Sequence, residues 1–307
     1  MTPPILTFLI PTYNRAPLVS RAIESVLHHQ LADRDAFEII VVDDGSTDDT
    51  AAHVAPWVAD GSITYLPQPT NRGVAAARNA GIDAARGKWL VMLDSDNQLL
   101  PGALALLLAE LQEVPVSVGV FWGNCRDRDG RTTTIHGVAG VVPGGHLIDG
   151  RYPGEHFSVV RADLARRHKF AELGTLNECA ACFWYPIALE SDLYLSPSVF
   201  QFYETAGDDR ITSLASRRYR SGELVRCFEE TLVRFGPLLR SRAPETYWAL
   251  HGRIALYKAV SGDWLPSLRA GLIAARGWRY QPSNLGVLGL CIGGPWLARA
   301  ALARRSA

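Results

Sequence analysis

The chain has 307 residues, 48% of them apolar, with 31 Lys plus Arg against 31 Asp plus Glu. That length allows a substantial core, and the even charge gives no ground for polyanion binding, so nucleic acid is not an expected partner. Five scattered cysteines make no disulfide framework and no secretory signal precedes the first strand pattern, so a reducing, cytoplasmic setting is expected.

Residues 7–10 read as a strand, and Leu18, Ala22, Ile23, Val26 and Leu27 then recur at helical spacing. A second strand covers 38–42. Ser46-Thr47-Asp48-Asp49 after it suits a helix start, because hydroxyls and carboxylates accept from unpaired N–H groups at the positive dipole end. A short strand at 63–66 follows. Asn71-Arg72-Gly73 then leads into an alanine-rich helix ending near Ala85, and 89–93 forms another strand. A helix after Pro101 and a strand at 116–122 complete the repeat. Such strand–helix alternation predicts an α/β fold with a doubly wound, mostly parallel sheet flanked by helices.

From 126 to 154 the chain is rich in Gly, Asp, Thr and Pro, with a turn at Asp127-Arg128-Asp129-Gly130, and reads as a loop-rich acceptor face. Helical patterns return at 162–168 and 179–189. Everything from 223 onward reads as mainly helical. The expected organisation is therefore a domain over 1–222, in two halves at 1–123 and 124–222, with a helical extension at 223–307.

Two acidic clusters stand out, each directly after an apolar run: Asp43-Asp44-Gly45-Ser46 and Asp94-Ser95-Asp96-Asn97. Ligands of open parallel sheets bind outside the carboxyl ends of the strands, so both clusters are expected on one edge. Carboxylates gathered there repel one another unless a cation intervenes, and hard oxygen ligands suit magnesium or manganese bridging to phosphate. The Cys179-Ala180-Ala181-Cys182 motif has no second pair, so its thiols are read as buried packing residues. The eight histidines show no metal-ligand spacing.

At the end of the chain, residues 285–298 are apolar apart from glycines and a proline, and Arg299, Arg304 and Arg305 follow. The run falls short of the ~20 apolar residues a membrane-spanning helix needs. With Trp278, Tyr280 and Trp296 beside the arginines, it is open to two readings: an interfacial helix on an anionic membrane, or a helix packed on the domain.

Four motifs in order, Phe8-Leu9-Ile10-Pro11-Thr12-Tyr13-Asn14-Arg15, Val42-Asp43-Asp44-Gly45-Ser46-Thr47-Asp48, Asn71-Arg72-Gly73 through Ala77-Arg78-Asn79, and Leu93-Asp94-Ser95-Asp96-Asn97, resemble the family-two glycosyltransferases of GT-A fold. The resemblance covers the first 120 residues closely. It implies a metal-dependent, inverting transfer from a nucleotide-diphosphate sugar to an acceptor hydroxyl, with Mn2+ or Mg2+ as cofactor. It also implies cell-surface polysaccharide or glycan synthesis, with a glycan or lipid-linked glycan as acceptor and peripheral contact with the inner membrane face.

By the same resemblance, Pro11, Thr12, Tyr13 and Asn14 line the donor, with Pro11 and Tyr13 against the nucleobase. Asp43 accepts from the base's imide N–H, with Asp44 beside it. Arg78 approaches the diphosphate, and a guanidinium fork suits that task. Asp94 lies near the ribose and metal-bound water, Ser95 joins the donor pocket, and Asp96 is the direct metal ligand. Glu178, with Trp184 downstream, is the expected base, although Cys179 stands where relatives carry a second acid. Asp208-Asp209-Arg210 matches a segment that helps close the donor site.

Three rival functions follow from the same residues. A sugar-phosphate nucleotidyltransferase would carry a glycine-rich basic loop where Pro11-Thr12-Tyr13-Asn14 stands, and a nicotinamide oxidoreductase would carry GxGxxG there. A nucleotide-sugar-binding protein without catalytic power would keep the donor pocket and lack a working Glu178.

Overall fold

The structure is a computed structural model that describes residues 3–29, 36–133, 138–176, 178–204 and 220–304. These fall into two compact units, one drawn from 1–147, 151–176 and 183–205, the other from 148–150, 177–182 and 206–307.

The first unit is built on a sheet of nine strands among the described residues. In chain order they are β1 (Leu6–Thr12), β2 (Phe37–Asp43), β3 (Thr64–Pro67), β4 (Trp89–Met92), β5 (Gln98–Leu99), β6 (Val118–Arg126), β7 (Gly140–Val142), β8 (His156–Arg161) and β9 (Asp192–Phe202). Their spatial order is β3-β2-β1-β4-β8-β6-β9-β5, with β7 added against β9. The pairs among β1, β2, β3 and β4 are parallel, as the strand–helix alternation predicts. Mixed pairing enters with β8, which runs antiparallel to both β4 and β6.

All seven residues of β1 are buried, because helices cover both faces of the sheet. Side chains alternate across it. Phe8, Ile10, Ile39, Val41, Trp89 and Val91 join one core, packed by Val19, Ala22, Ile23 and Val26 of α1 (Ala16–Leu27) and Leu104 and Leu107 of α4 (Ala103–Glu113). Leu9, Ile40, Val42, Leu90 and Met92 face the other core, together with Ala75, Ala77 and Ile82 of α3 (Val74–Ala84). Further along the chain come α2 (Thr50–Ala59), the single turn α5 (Gly145–Ile148), α6 (Ala162–Arg167) and α7 (Ala180–Glu190). Leu164, Phe183 and Ile187 extend the second core.

The sequence pattern alone does not reveal β7, β8 or β9. Strand β7 lies inside the stretch read as loop, and β8 is a six-residue run beside its helix. Strand β9 carries Pro197 and pairs with β6 through register shifts that break its alternation. Their partners are distant in sequence, so long-range pairing makes them strands.

The second unit is helical: α8 (Ser221–Arg242), α9 (Pro244–Ser261), α10 (Trp264–Ala275), α11 (Ser283–Ile292) and α12 (Gly294–Arg304). It has its own core, formed by Val225, Ile254, Ala255, Val260, Val287 and Cys291. The buried Asn284 amide donates to the carbonyls of Trp248 at 2.8 Å and Ala274 at 3.0 Å, fastening α11 to α9 and α10.

Helix α3 sits close on β1 because Gly81 has no side chain; a Cβ there would lie 2.7 Å from Leu9 side-chain carbons. Gly81→Val should therefore lower the urea midpoint of unfolding, by an equivalent of ~1–3 kcal/mol from overpacking. An unchanged midpoint would show that the helix–strand spacing is not set by this glycine.

Candidate active site

Strands β1, β2 and β4 run parallel, so their carboxyl ends open on one edge. Thr12 stands opposite Asp43 in the ladder, the Asp44 N–H donates to the Thr12 carbonyl at 2.9 Å, and Leu93 N–H donates to Leu9 at 3.1 Å. The first two motif loops and the Asp94 loop therefore leave the sheet together. Pro11 and Thr12 are buried at this edge, and the Thr12 hydroxyl has no hydrogen-bond partner among the described residues. Tyr13 is exposed.

Asn14 has a positive φ of 52°, a conformation asparagine tolerates better than most side chains. Its N–H donates to the Ser46 hydroxyl at 2.8 Å, and its side-chain oxygen accepts from Thr47 N–H at 2.7 Å and Asp48 N–H at 3.3 Å. Asn14 thus clasps the first motif loop to the second. Asp48 accepts from Thr50 N–H at 3.1 Å and Ala16 N–H at 3.2 Å, the first residues of α2 and α1, whose N-cap positions are held by Asp49 and Arg15.

The carboxylates of the second motif are buried, and each of their four oxygens accepts one hydrogen bond. Asp43 accepts from Ser46 N–H at 2.8 Å and from the Tyr65 hydroxyl at 2.5 Å. Asp44 accepts from Arg72 N–H at 2.9 Å and Gly73 N–H at 2.7 Å, which ties the third motif to the second. Burial pushes the Asp44 carboxyl above the usual carboxylate range, against the pull of those two backbone donors. Gly73 has φ +92° and a Cβ there would sit 2.2 Å from the Thr175 carbonyl oxygen, so only glycine fits at this entry to α3.

Each carboxylate of the fourth motif is matched by an arginine. Arg78, buried on α3, donates to Asp94 at 2.6 Å, and its guanidinium lies 5.4 Å from the Phe170 ring centre. Arg15 donates to Asp96 at 2.9 Å, with both side chains largely buried. Burial, reinforced by the neighbouring Asp94 charge, raises the Asp96 carboxyl, and Arg15 opposes the rise. Ser95 is buried between the two acids in sequence, and buried Asn97 shapes the loop by accepting from Glu204 N–H at 3.2 Å.

Among the described residues no three His, Cys, Asp or Glu side chains converge as a protein cage for a metal ion. Asp94 and Asp96 nonetheless fit magnesium or manganese. Such ions commonly take one or two carboxylates and complete their shell with water and the oxygens of a bound phosphate.

Pro11, Thr12, Asn14, Asp43, Asp44, Arg78, Asp94, Ser95 and Asp96 all belong to the first unit, linked by the contacts above. Glu178 belongs to the second unit, is partly buried, and precedes α7. Asp208, Asp209 and Arg210 lie outside the described residues. Sequence reading assigned no task to Arg15, Tyr65 or Asn97. Arg15 and Asn97 lie inside recognisable motifs, so position was a usable signal for them; nothing in the sequence marks Tyr65 as the partner of Asp43.

The profile of glycosyl transferase family 2 matches residues 7–174. A Campylobacter jejuni protein named GalNAc(5)-diNAcBac-PP-undecaprenol beta-1,3-glucosyltransferase is 31% identical over 222 residues, covering 70% of this chain and 69% of its own. Among solved structures, S. aureus TarS in complex with UDP-GlcNAc superposes with a TM-score of 0.59 at 16% identity, over 91% of this chain and 90% of that one. The mannosyltransferase PcManGT from Pyrobaculum calidifontis, in complex with GDP-Man and Mn2+, gives 0.56 at 21% identity, over 98% and 87%. At such identities these two establish a shared fold, with a mixed sheet flanked by helices and a helical carboxyl-terminal region. The chain belongs to glycosyl transferase family 2 and is a glycosyltransferase.

Proposed function

We propose that the protein is a metal-dependent, inverting glycosyltransferase that moves a sugar from a nucleotide-diphosphate donor to a hydroxyl of a lipid-linked glycan. The observation that carries this proposal is the pair of arginine-matched carboxylates, Asp94 with Arg78 and Asp96 with Arg15, on the strand edge that also presents Thr12 and Asp43. The Campylobacter relative supports the acceptor class, since its name specifies an undecaprenol-linked glycan. The donor and metal are supported by PcManGT, whose structure holds GDP-Man and Mn2+.

In this mechanism Pro11 and Tyr13 hold the nucleobase, Asp43 accepts from it, and Asn14, Asp44 and Ser95 keep the surrounding loops in place. Arg78 turns its guanidinium fork toward the diphosphate. Asp96, with Asp94, would hold Mg2+ or Mn2+, which when bound stabilises the negative charge growing on the departing nucleoside diphosphate. Glu178 takes the proton of the acceptor hydroxyl as that oxygen attacks the anomeric carbon and the bond to the diphosphate breaks. The proposed division of labour gives 1–123 to the donor and 124–222 to the acceptor.

The helical extension at 223–307 is proposed to rest on the membrane that carries the acceptor. After Asp263 the sequence has no Asp or Glu and six arginines. In the second unit Trp264, Trp278, Tyr280, Ile292 and Trp296 are exposed, as are Arg269, Arg276, Arg279 and Arg299. Exposed indole and phenol rings among arginines suit the headgroup layer of an anionic bilayer. No helix among the described residues is long and apolar enough to cross a membrane.

Nucleoside diphosphate release from a panel of nucleotide sugars with Mn2+ tests the reaction. One donor should turn over, a chelator should stop it, and Asp96→Ala should abolish turnover and metal-dependent donor binding; full activity in Asp96→Ala would overturn the metal assignment. Glu178→Gln should keep donor affinity and lose ~100-fold or more in turnover. Undiminished turnover would remove Glu178 as base, and a wild-type protein that binds donors without any turnover would favour a binding role. On flotation, vesicles rich in phosphatidylglycerol should carry the protein at low salt and release it at high salt. Trp278→Ala with Trp296→Ala should weaken the binding, and protein that never floats with anionic vesicles would dismiss the membrane contact.

A further inference from the structure

Cys179 and Cys182 carry chemistry that glycosyl transfer does not use. The Cys182 N–H donates to the Cys179 carbonyl at 3.0 Å, and this first turn of α7 folds the second side chain back over the first. Their sulfur atoms lie 2.9 Å apart, closer than unbonded sulfurs ordinarily approach, and both side chains are buried. Two further groups from α8 line the Cys179 sulfur: the Cys227 carbonyl at 3.3 Å and the Thr231 hydroxyl at 3.4 Å. Hydrogen bonding with the Cys182 side chain, then with the Cys227 side chain, outweighs burial and pulls the Cys179 thiol down, while the Cys227 carbonyl accepts from it. The hydrogen bond to Cys179 and burial push Cys182 up. Burial alone dominates elsewhere, raising Cys125 to about 12 and raising Cys291. Cys179 is therefore the more acidic thiol of a pair whose sulfurs are already in contact.

We propose that Cys179 and Cys182 form a peroxide-reactive dithiol, a modification site in which Cys179 attacks and Cys182 resolves, closing a disulfide across the first turn of α7. The Cys179 thiolate attacks one oxygen of hydrogen peroxide; the O–O bond breaks, and the departing hydroxide takes up a proton to leave as water. The Cys182 sulfur then attacks the new sulfenic sulfur, the S–O bond breaks, and the oxygen leaves as a second water with the Cys182 proton. The two thiols lose two electrons and the peroxide gains them. Peroxide suits the site because it is small, whereas a peptide disulfide is too bulky for sulfurs this buried. Glu178 immediately precedes Cys179, so the new bond fixes the backbone beside that carboxylate.

The full-length, fully reduced protein is exposed to hydrogen peroxide, its remaining thiols are blocked with N-ethylmaleimide in denaturant, and tryptic peptides are weighed. Cleavage after Lys169 and Arg210 leaves both cysteines, and no others, on one peptide. That peptide should appear unblocked and lighter by two hydrogens, at a rate ~10-fold or more above modification of Cys125 or Cys291, and dithiothreitol should reverse it. Cys182→Ser should leave a Cys179 sulfenic acid that dimedone traps; Cys179→Ser should leave Cys182 fully blockable. Both cysteines blocked in the peroxide-treated wild type, a Cys179–Cys227 link instead, or no dimedone adduct in Cys182→Ser would overturn the proposal.

Discussion

Four carboxylates at one sheet edge, Asp43, Asp44, Asp94 and Asp96, set the terms for everything around them. Gathered negative charge in a partly buried place is costly unless each group is compensated. Two compensations are at work. Asp43 and Asp44 are held by backbone N–H groups and a tyrosine hydroxyl, which fixes loops; Asp94 and Asp96 are held by the side-chain charges of Arg78 and Arg15.

That difference follows from where the acids stand. Asp43 ends β2 and Asp44 begins the turn beyond it, so N–H groups of adjacent loops converge on them, and hydrogen bonds to a charged group contribute ~1.5–3 kcal/mol each. Asp94 and Asp96 lie just past β4, where α3 and the first motif loop deliver guanidinium groups rather than backbone donors. Gly81 and Gly73 set the approach of α3, by letting it close on β1 and by admitting the Thr175 carbonyl at its start. Core packing thereby reaches the chemistry: the position of Arg78 depends on the lack of side chains at these two glycines.

The helical unit keeps a separate core and concentrates its exposed aromatics and arginines beyond Asp263. The Cys179–Cys182 pair, read from sequence as packing, is indeed buried, yet its sulfurs are in contact. Hydrogen bonding with the Cys182 side chain pulls the Cys179 thiol down against the opposing effect of burial.

The parallel half of the sheet and the four motifs are legible in the residues alone, since apolar runs of strand length and the acids that end them are local signals. The helical character of the carboxyl-terminal stretch is legible there too. That β7, β8 and β9 are strands emerges only once the chain is folded, because their hydrogen bonds come from partners far along the chain. Folding likewise decided that Asn14 serves as a clasp, that Tyr65 holds Asp43, and that Arg15 faces Asp96 across 81 residues of sequence. A residue's type declares what it can donate or accept, but its partner is chosen by the path of the backbone between them.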